Sequence, residues 1–182
     1  MTYYWWADPG MQLVLTIRLL GPLLILRWPL AGSLLSEFVF DASDVIIWDA
    51  FHSLQWIDYT HWDKPLDMYM MAIQAIVVWR WRAPLPRQVA GGLLALRVAG
   101  FIGYELTHIR SLFMFFPNIF GNYFLGYLIC AKLGRARWFE HSKYLVAVLA
   151  IVWLTKLPQE YLLHYKLVHP WTLLKGAIGL GA

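Results

Sequence analysis

Long apolar stretches, separated by short connections that contain Pro, Gly or charged residues, dominate the pattern of this chain. A helix needs about 20 mostly apolar residues to cross a bilayer. The stretches that approach this length are Met11–Trp28, Leu30–Trp48, Pro65–Trp79, Val89–Phe113, Ile119–Leu133 and Lys143–Leu157. The pattern therefore predicts an all-α fold, a polytopic integral membrane protein with a bundle of about six transmembrane helices.

The segments between and beyond these stretches add little folded mass. Residues 51–62 are amphipathic and aromatic, which is typical of a segment that lies in the membrane interface. A lead of 10 residues precedes the first helix, and the tail from about residue 162 is too interrupted for a seventh span. The sequence therefore predicts a single transmembrane domain over residues 1–182.

Composition agrees with a membrane location and excludes several other classes of protein. The chain is 60% hydrophobic and 14% charged, whereas soluble domains are about 45–50% apolar and about 25% charged. Because Cys130 is the only cysteine in the sequence, a disulfide framework and a thiolate metal site are excluded. A net charge of +4 without a basic run gives no reason to expect a nucleic acid as a partner.

The few charges separate onto two predicted faces of the bundle. With the predicted helices alternating in direction, one face contains a single acid, Glu140, and the following basic residues: Arg27, Arg80, Arg82, Arg87, Lys132, Arg135, Arg137 and Lys143. Cytoplasmic loops of membrane proteins are enriched in Lys and Arg. We therefore expect this basic face inside and the acidic face outside, in a bacterial cytoplasmic membrane.

Acidic residues concentrate between the second and third predicted helices. Asp41 and Asp44 are three residues apart, and Asp63 and Asp67 are four apart, so each pair occupies one helical face. If the two helices are neighbours, four carboxylates converge and repel one another unless cations neutralise them. Carboxylate oxygens are preferred ligands of hard divalent ions, and metal ions assist phosphoryl transfer.

These pairs, Asp41-Ala42-Ser43-Asp44 and Asp63-Lys64-Pro65-Leu66-Asp67, follow Leu15-Thr16-Ile17-Arg18 in the first helix. Over Leu15–Asp67 the chain resembles the CDP-alcohol phosphotransferase (phosphatidyltransferase) family of six-helix membrane enzymes. The resemblance implies a divalent metal, Mg²⁺ or Mn²⁺, held by Asp41, Asp44 and Asp63. It also implies that Asp67 is the base that activates the acceptor alcohol. Arg18 would bind an anionic substrate or balance the carboxylates.

The resemblance predicts a divergent member that performs metal-assisted transfer of a lipid phosphoryl group. Where the family motif has Gly and Ala-Arg, this chain has Val45 and Trp48-Asp49, and its second aspartate pair lies one residue later. These differences leave open a non-catalytic subunit of a larger membrane complex, packed against other subunits, lipids or pigments. Membrane lipid is a partner under both interpretations, and a homo-oligomer is also compatible with them.

Two structural alternatives compete with metal binding at these carboxylates. Asp63 precedes Lys64-Pro65 and would serve as the N-cap of the third helix, with Pro65 in its first turn. Asp41 and Asp44 would pair with Arg18 of the first helix.

A second polar cluster is predicted at the end of the fourth helix. Glu105 and His108 have the i, i+3 spacing of carboxylate di-metal proteins, and Arg110 follows. The alternative is an ordinary network of these three side chains at a helix end. Glu37 and Arg97 are predicted at mid-depth and are the only features that favour transport.

Overall fold

The structure, a computed structural model, describes residues 5–53, 59–109 and 111–160. Throughout these residues the regular structure is helical, which confirms the predicted all-α fold. The chain separates into two compact units, residues 1–77 and residues 78–182. The predicted single domain over residues 1–182 stays a prediction.

The first unit begins with a helix that runs over Pro9–Arg27. Its first part, α1 (Pro9–Leu20), is capped by the Asp8 side chain, which accepts a hydrogen bond from the Met11 N–H at 3.0 Å. A tight turn leads into α2 (Leu24–Arg27), and the helix ends before Pro29, since the residue that precedes a proline avoids helical geometry. The predicted first helix is therefore confirmed, with its start two residues earlier.

The second helical segment covers residues 29–50 and contains a local widening. It consists of α3 (Pro29–Leu35), a π-helical turn over Ser36–Phe40, and α4 (Asp41–Ala50). Such turns add a residue to the helical repeat and occur often at functional sites. The segment agrees with the predicted helix over Leu30–Trp48.

The two segments form an antiparallel hairpin. Near the connection, Gly32 of α3 lies so close to α2 that an added Cβ would be 2.5 Å from the Ile25 backbone nitrogen. At the other end, the buried side chains of Met11 and Val14 in α1 pack with Trp48 of α4. The hairpin therefore aligns the middle of α1 with the start of α4.

The next helix, α5 (Tyr59–Trp79), starts six residues before Pro65. The prediction that this helix begins near Pro65, with Asp63 as its N-cap, is wrong. Residues 59–64 are mostly polar, so they do not show the apolar pattern of a membrane span. The helix nevertheless continues through Pro65, because a proline near the N-terminus of a helix costs only one helical hydrogen bond. Residues 54–58 of the predicted interfacial segment lie outside the described residues, and residues 59–62 belong to α5.

The helices of the second unit are α6 (Pro84–Thr107), α7 (Leu112–Phe115), α8 (Ile119–Lys132), α9 (Arg137–Glu140) and α10 (Ser142–Glu160). The predicted helix over Val89–Phe113 is wrong at its end, because α6 stops where His108 turns left-handed, with φ of 56°. The sequence becomes polar over residues 105–111, which marks this end, whereas the prediction continued the helix to the apolar pair Leu112-Phe113. The predicted helices over 119–133 and 143–157 agree with α8 and α10.

Helices α6 and α8 are antiparallel neighbours. Trp81, just before α6, packs at a tilt against Tyr127 of α8, with ring centroids 4.0 Å apart. Toward the other end of α6, an added Cβ on Gly100 would be 2.3 Å from the Phe116 side chain. Buried Arg97 donates a hydrogen bond to the Phe116 carbonyl at 3.0 Å and lies 4.5 Å from the Phe113 ring centroid. Arg97 therefore stabilises the break that precedes α8.

Within the described residues, three helical stretches are long and apolar enough to cross a membrane. They are Pro9–Arg27, Pro84–Thr107 and Leu112–Lys132. Length and composition thus agree with the membrane character that the sequence predicts.

The close approach at Gly32 gives a stability prediction. We expect Gly32→Ala to lower the free energy of unfolding by about 1–3 kcal/mol, because the added methyl group meets the rigid backbone of α2. The measurement is thermal denaturation of the purified protein in detergent.

Gly91 is the matched control, since it also lies inside a helix but an added Cβ has no neighbour within 4 Å. Gly91→Ala should leave stability unchanged or raise it by about 0.5–1 kcal/mol, because alanine favours helix. Equal melting temperatures for the two variants would contradict the close packing of α2 and α3.

Candidate metal centre

Three helices of the first unit bring a cluster of charged residues together, which we call the carboxylate cluster. Helix α1 contributes Arg18, α4 contributes Asp41 and Asp44, and α5 contributes Asp63, Lys64 and Asp67. The predicted pairs lie on single helical faces, and α4 and α5 place those faces on opposite sides of Arg18. All five of the cluster residues that the sequence indicated are therefore gathered at one place.

Arg18 is the centre of the cluster and is only 2% exposed. One of its terminal nitrogens, Nη1, donates a hydrogen bond to Asp41 Oδ1 and lies 3.9 Å from Asp44 Oδ2. The other, Nη2, donates to Asp67 Oδ1 at 2.9 Å and lies 3.5 Å from Asp63 Oδ1. Pairing of Arg18 with the α4 carboxylates, one of the structural alternatives, is thus confirmed, and it extends to α5.

Lys64 is a second buried cation in the cluster, and it was missed as a functional residue in the sequence. Its ammonium group donates hydrogen bonds to Asp63 Oδ2 and, at 3.4 Å, to Asp67 Oδ2. The sequence feature that could have indicated this role is the position of Lys64 between Asp63 and Asp67. A helix that begins near Pro65 would leave Lys64 in a solvated turn, whereas the earlier start of α5 places it on the buried face.

The cluster retains negative charge after these pairs are counted. Counted with every group ionised, four carboxylates contribute −4, and Arg18 and Lys64 contribute +2, which gives a formal charge of −2. Asp44 is the least satisfied member, because it is 0% exposed and neither carboxylate oxygen has a hydrogen-bond partner among the described residues. Burying an ionised carboxylate without such partners is costly. The excess charge equals that of one divalent cation.

Three of these carboxylates lie close enough together to be candidate ligands of one metal ion. One carboxylate oxygen from each of Asp41, Asp44 and Asp63 lies within 4.8 Å of the others. A cation placed among them would contact hard oxygen ligands, which Mg²⁺ and related ions prefer. The side chains of Asp44 and Asp63 are closed off, while that of Asp41 is 40% exposed. A ligand would therefore reach the cluster from the side of Asp41.

A further polar contact lies toward the π-helical turn. Buried Gln74 of α5 donates a hydrogen bond to Glu37 at 2.7 Å. Gln74 is two helical turns beyond Asp67, so this contact and the carboxylate cluster lie along the same pair of helices. It aligns α5 with the segment 29–50 at a second level.

The predicted cluster at the end of α6 is different in character. Glu105 and His108 are both exposed, and no ion pair joins them in the part of the chain that the structure describes. His108 instead packs edge-to-face against Tyr104. Arg110, the third member, lies outside the described residues.

Comparison with protein families, with curated proteins and with solved structures finds no match.

The position of Arg18 predicts a strong dependence of stability on its charge. We expect Arg18→Gln to lower the free energy of unfolding by about 3–5 kcal/mol, since removal of one partner leaves buried carboxylates uncompensated. A second substitution, Asp67→Asn, should recover part of that loss in the double variant. Thermal denaturation of the three variants measures the coupling.

The control for this experiment is Arg27→Gln, which removes an exposed arginine from the same helical stretch. Its effect should be within about 0.5 kcal/mol of zero. If Arg18→Gln were as mild as the control, Arg18 would not be the buried centre of the cluster.

Proposed function

We propose that the chain is an integral membrane protein that binds a divalent cation at the carboxylate cluster and transfers a substituted phosphate group between lipid-soluble partners. The observation that supports this most is that both oxygens of buried Asp44 have no hydrogen-bond partner among the described residues, in a site with a formal charge of −2. Helices α1, α4 and α5 hold these ligands before a cation arrives, so little reorganisation is needed for binding.

The membrane location rests on three candidate spans and on the apolar composition. We extend this to six spans, formed by Pro9–Arg27, residues 29–50, α5, α6, α8 and α10. Acids and Lys64 interrupt the apolar character of residues 29–50 and α5. Charged residues in a span are costly and are found where they pair or serve a function.

The roles of the residues follow from their contacts and exposure. Asp44 and Asp63 are the enclosed metal ligands, and Asp41 is the ligand on the open side. A bound Mg²⁺ or Mn²⁺ would supply charge neutralisation and polarisation of the phosphate oxygens. Arg18 donates to several carboxylates and fixes their positions. One of its contacts would be exchanged for a phosphate oxygen if it also binds substrate.

Asp67 is the proposed base that accepts the proton of the acceptor hydroxyl. Arg18 and Lys64 donate hydrogen bonds to its two oxygens, at 2.9 and 3.4 Å, and these contacts fix the orientation of the carboxylate. Its side chain is 12% exposed, more than those of Asp44 and Asp63, so it has some access to a substrate. The family resemblance remains the reason for choosing transfer over hydrolysis.

A second candidate function is that of a non-catalytic membrane subunit. The observation in its favour is that Arg18 lies within 4 Å of all four carboxylates. Such a network can hold three helices together without any ligand. This candidate predicts that the cluster binds no metal.

Metal binding separates these two candidates. We expect the purified protein in detergent to bind about one Mn²⁺ per chain, measured by electron paramagnetic resonance, with Mg²⁺ as a competitor. Asp44→Asn should weaken binding at least about tenfold, since even outer-sphere groups contribute about 10–100-fold to metal affinity. Asp49→Asn is the matched control, because Asp49 is on the same helix but outside the cluster.

The transfer step is tested in the same preparation. Asp67→Asn should retain Mn²⁺ but lose Mg²⁺-dependent exchange of a labelled phosphate headgroup between lipids in mixed micelles. Absence of Mn²⁺ binding, or equal binding in the Asp44 and Asp49 variants, would contradict the metal site. Metal binding without any exchange would leave the metal site standing and contradict the transferase.

A further inference from the structure

The second unit carries a cluster of exposed cations at one end, which we call the basic end. Its members are Arg80, Arg82, Arg87, Lys132, Arg135, Arg137 and Lys143, all exposed. The only acidic residue in the same two connections is half-buried Glu140. Among the described residues, none of these cations forms an ion pair with a carboxylate, because the ion pairs there all belong to the carboxylate cluster of the first unit.

Aromatic packing brings the two basic connections together. Trp81, in the connection before α6, packs on Tyr127 with ring centroids 4.0 Å apart and on Phe124 at 5.7 Å. Tyr127 also contacts Phe139 of α9, at 5.7 Å and nearly perpendicular. Trp81 and Phe139 are both buried. Residues 80–87 and 132–143 therefore meet at the same end of the antiparallel pair α6 and α8.

This end lies where two candidate membrane spans terminate. Pro84–Thr107 starts there and Leu112–Lys132 ends there. Two large aromatic side chains are exposed beside the cations, Trp79 at 81% and Trp138 at 45%. Exposed tryptophans at the end of a span are typical of the level of the lipid headgroups.

We propose that the basic end is a binding surface for anionic phospholipid headgroups. Groups of four to eight Lys and Arg beside a membrane-spanning helix are typical of surfaces that attract anionic lipids. Arginine guanidinium groups form paired hydrogen bonds to phosphate oxygens. The uncompensated cations supply the complementary charge, and Trp79 and Trp138 supply apolar contact at the acyl-chain boundary. The residues of this surface all belong to the second unit, and none of them is a residue of the proposed metal centre.

The test is native mass spectrometry of the purified protein with phosphatidylglycerol and phosphatidylcholine of identical acyl chains. The intact chain should retain phosphatidylglycerol at least about tenfold more strongly, since each Lys or Arg near an anionic surface contributes about 1 kcal/mol. The fourfold variant R80Q/R82Q/R135Q/R137Q should lose this preference. The charge-preserving variant R80K/R82K/R135K/R137K is the matched control and should keep most of it.

Competition with inorganic phosphate separates a lipid surface from a simple phosphate site. Millimolar phosphate should leave the phosphatidylglycerol adduct in place, because it lacks the acyl chains that contact the tryptophans. Equal retention of the two lipids by the intact chain would overturn the proposal without any variant. Preference that survives in the fourfold Gln variant, or displacement of the lipid by phosphate alone, would also overturn it.

Discussion

A guanidinium group that is almost completely enclosed has to find its compensating charge inside the protein, and the first unit is organised around that requirement. Arg18 is 2% exposed and lies within 4 Å of carboxylates from two other helices. Since an isolated buried charge is far more costly than a paired one, helices α1, α4 and α5 are constrained to approach at this level. The Glu37–Gln74 hydrogen bond, the Met11–Trp48 contact and the close approach at Gly32 set the same helices at other levels.

The carboxylates that surround Arg18 also outnumber the positive charges they neutralise. If the carboxylates served only to neutralise Arg18, one or two would be enough. Four are present, and Lys64 reduces but does not remove the excess. Asp44 receives the least compensation, since Arg18 is 3.9 Å away and neither oxygen has a hydrogen-bond partner among the described residues. Of the three proposed metal ligands, Asp41 and Asp63 are already held by Arg18 and Lys64 without a cation, whereas Asp44 is not.

Most residues of the carboxylate cluster could be predicted from the sequence. Helical spacing was sufficient to put Asp41 with Asp44 and Asp63 with Asp67, because i, i+3 and i, i+4 geometry is local. Helices α4 and α5 meet across Arg18 because of tertiary packing, and residue spacing within one helix does not predict packing between helices. The start of α5 was missed because residues 59–64 lack apolar periodicity, and the role of Lys64 was missed with it. The end of α6 at His108 was missed because the polar residues 105–111 were assigned to the last turns of a helix that continues to Phe113. The sequence predicted that the basic residues of the second unit share one face. It did not predict that the rings of Trp81, Tyr127 and Phe139 pack together and join the two basic connections.

The most direct test of the account is a crystal structure grown in the presence of Mn²⁺, with anomalous scattering measured for the metal. The account predicts a peak within about 2.5 Å of carboxylate oxygens of Asp44 and of Asp41 or Asp63, with Arg18 still contacting Asp67. A well-ordered carboxylate cluster that shows no anomalous peak at saturating Mn²⁺ would contradict it.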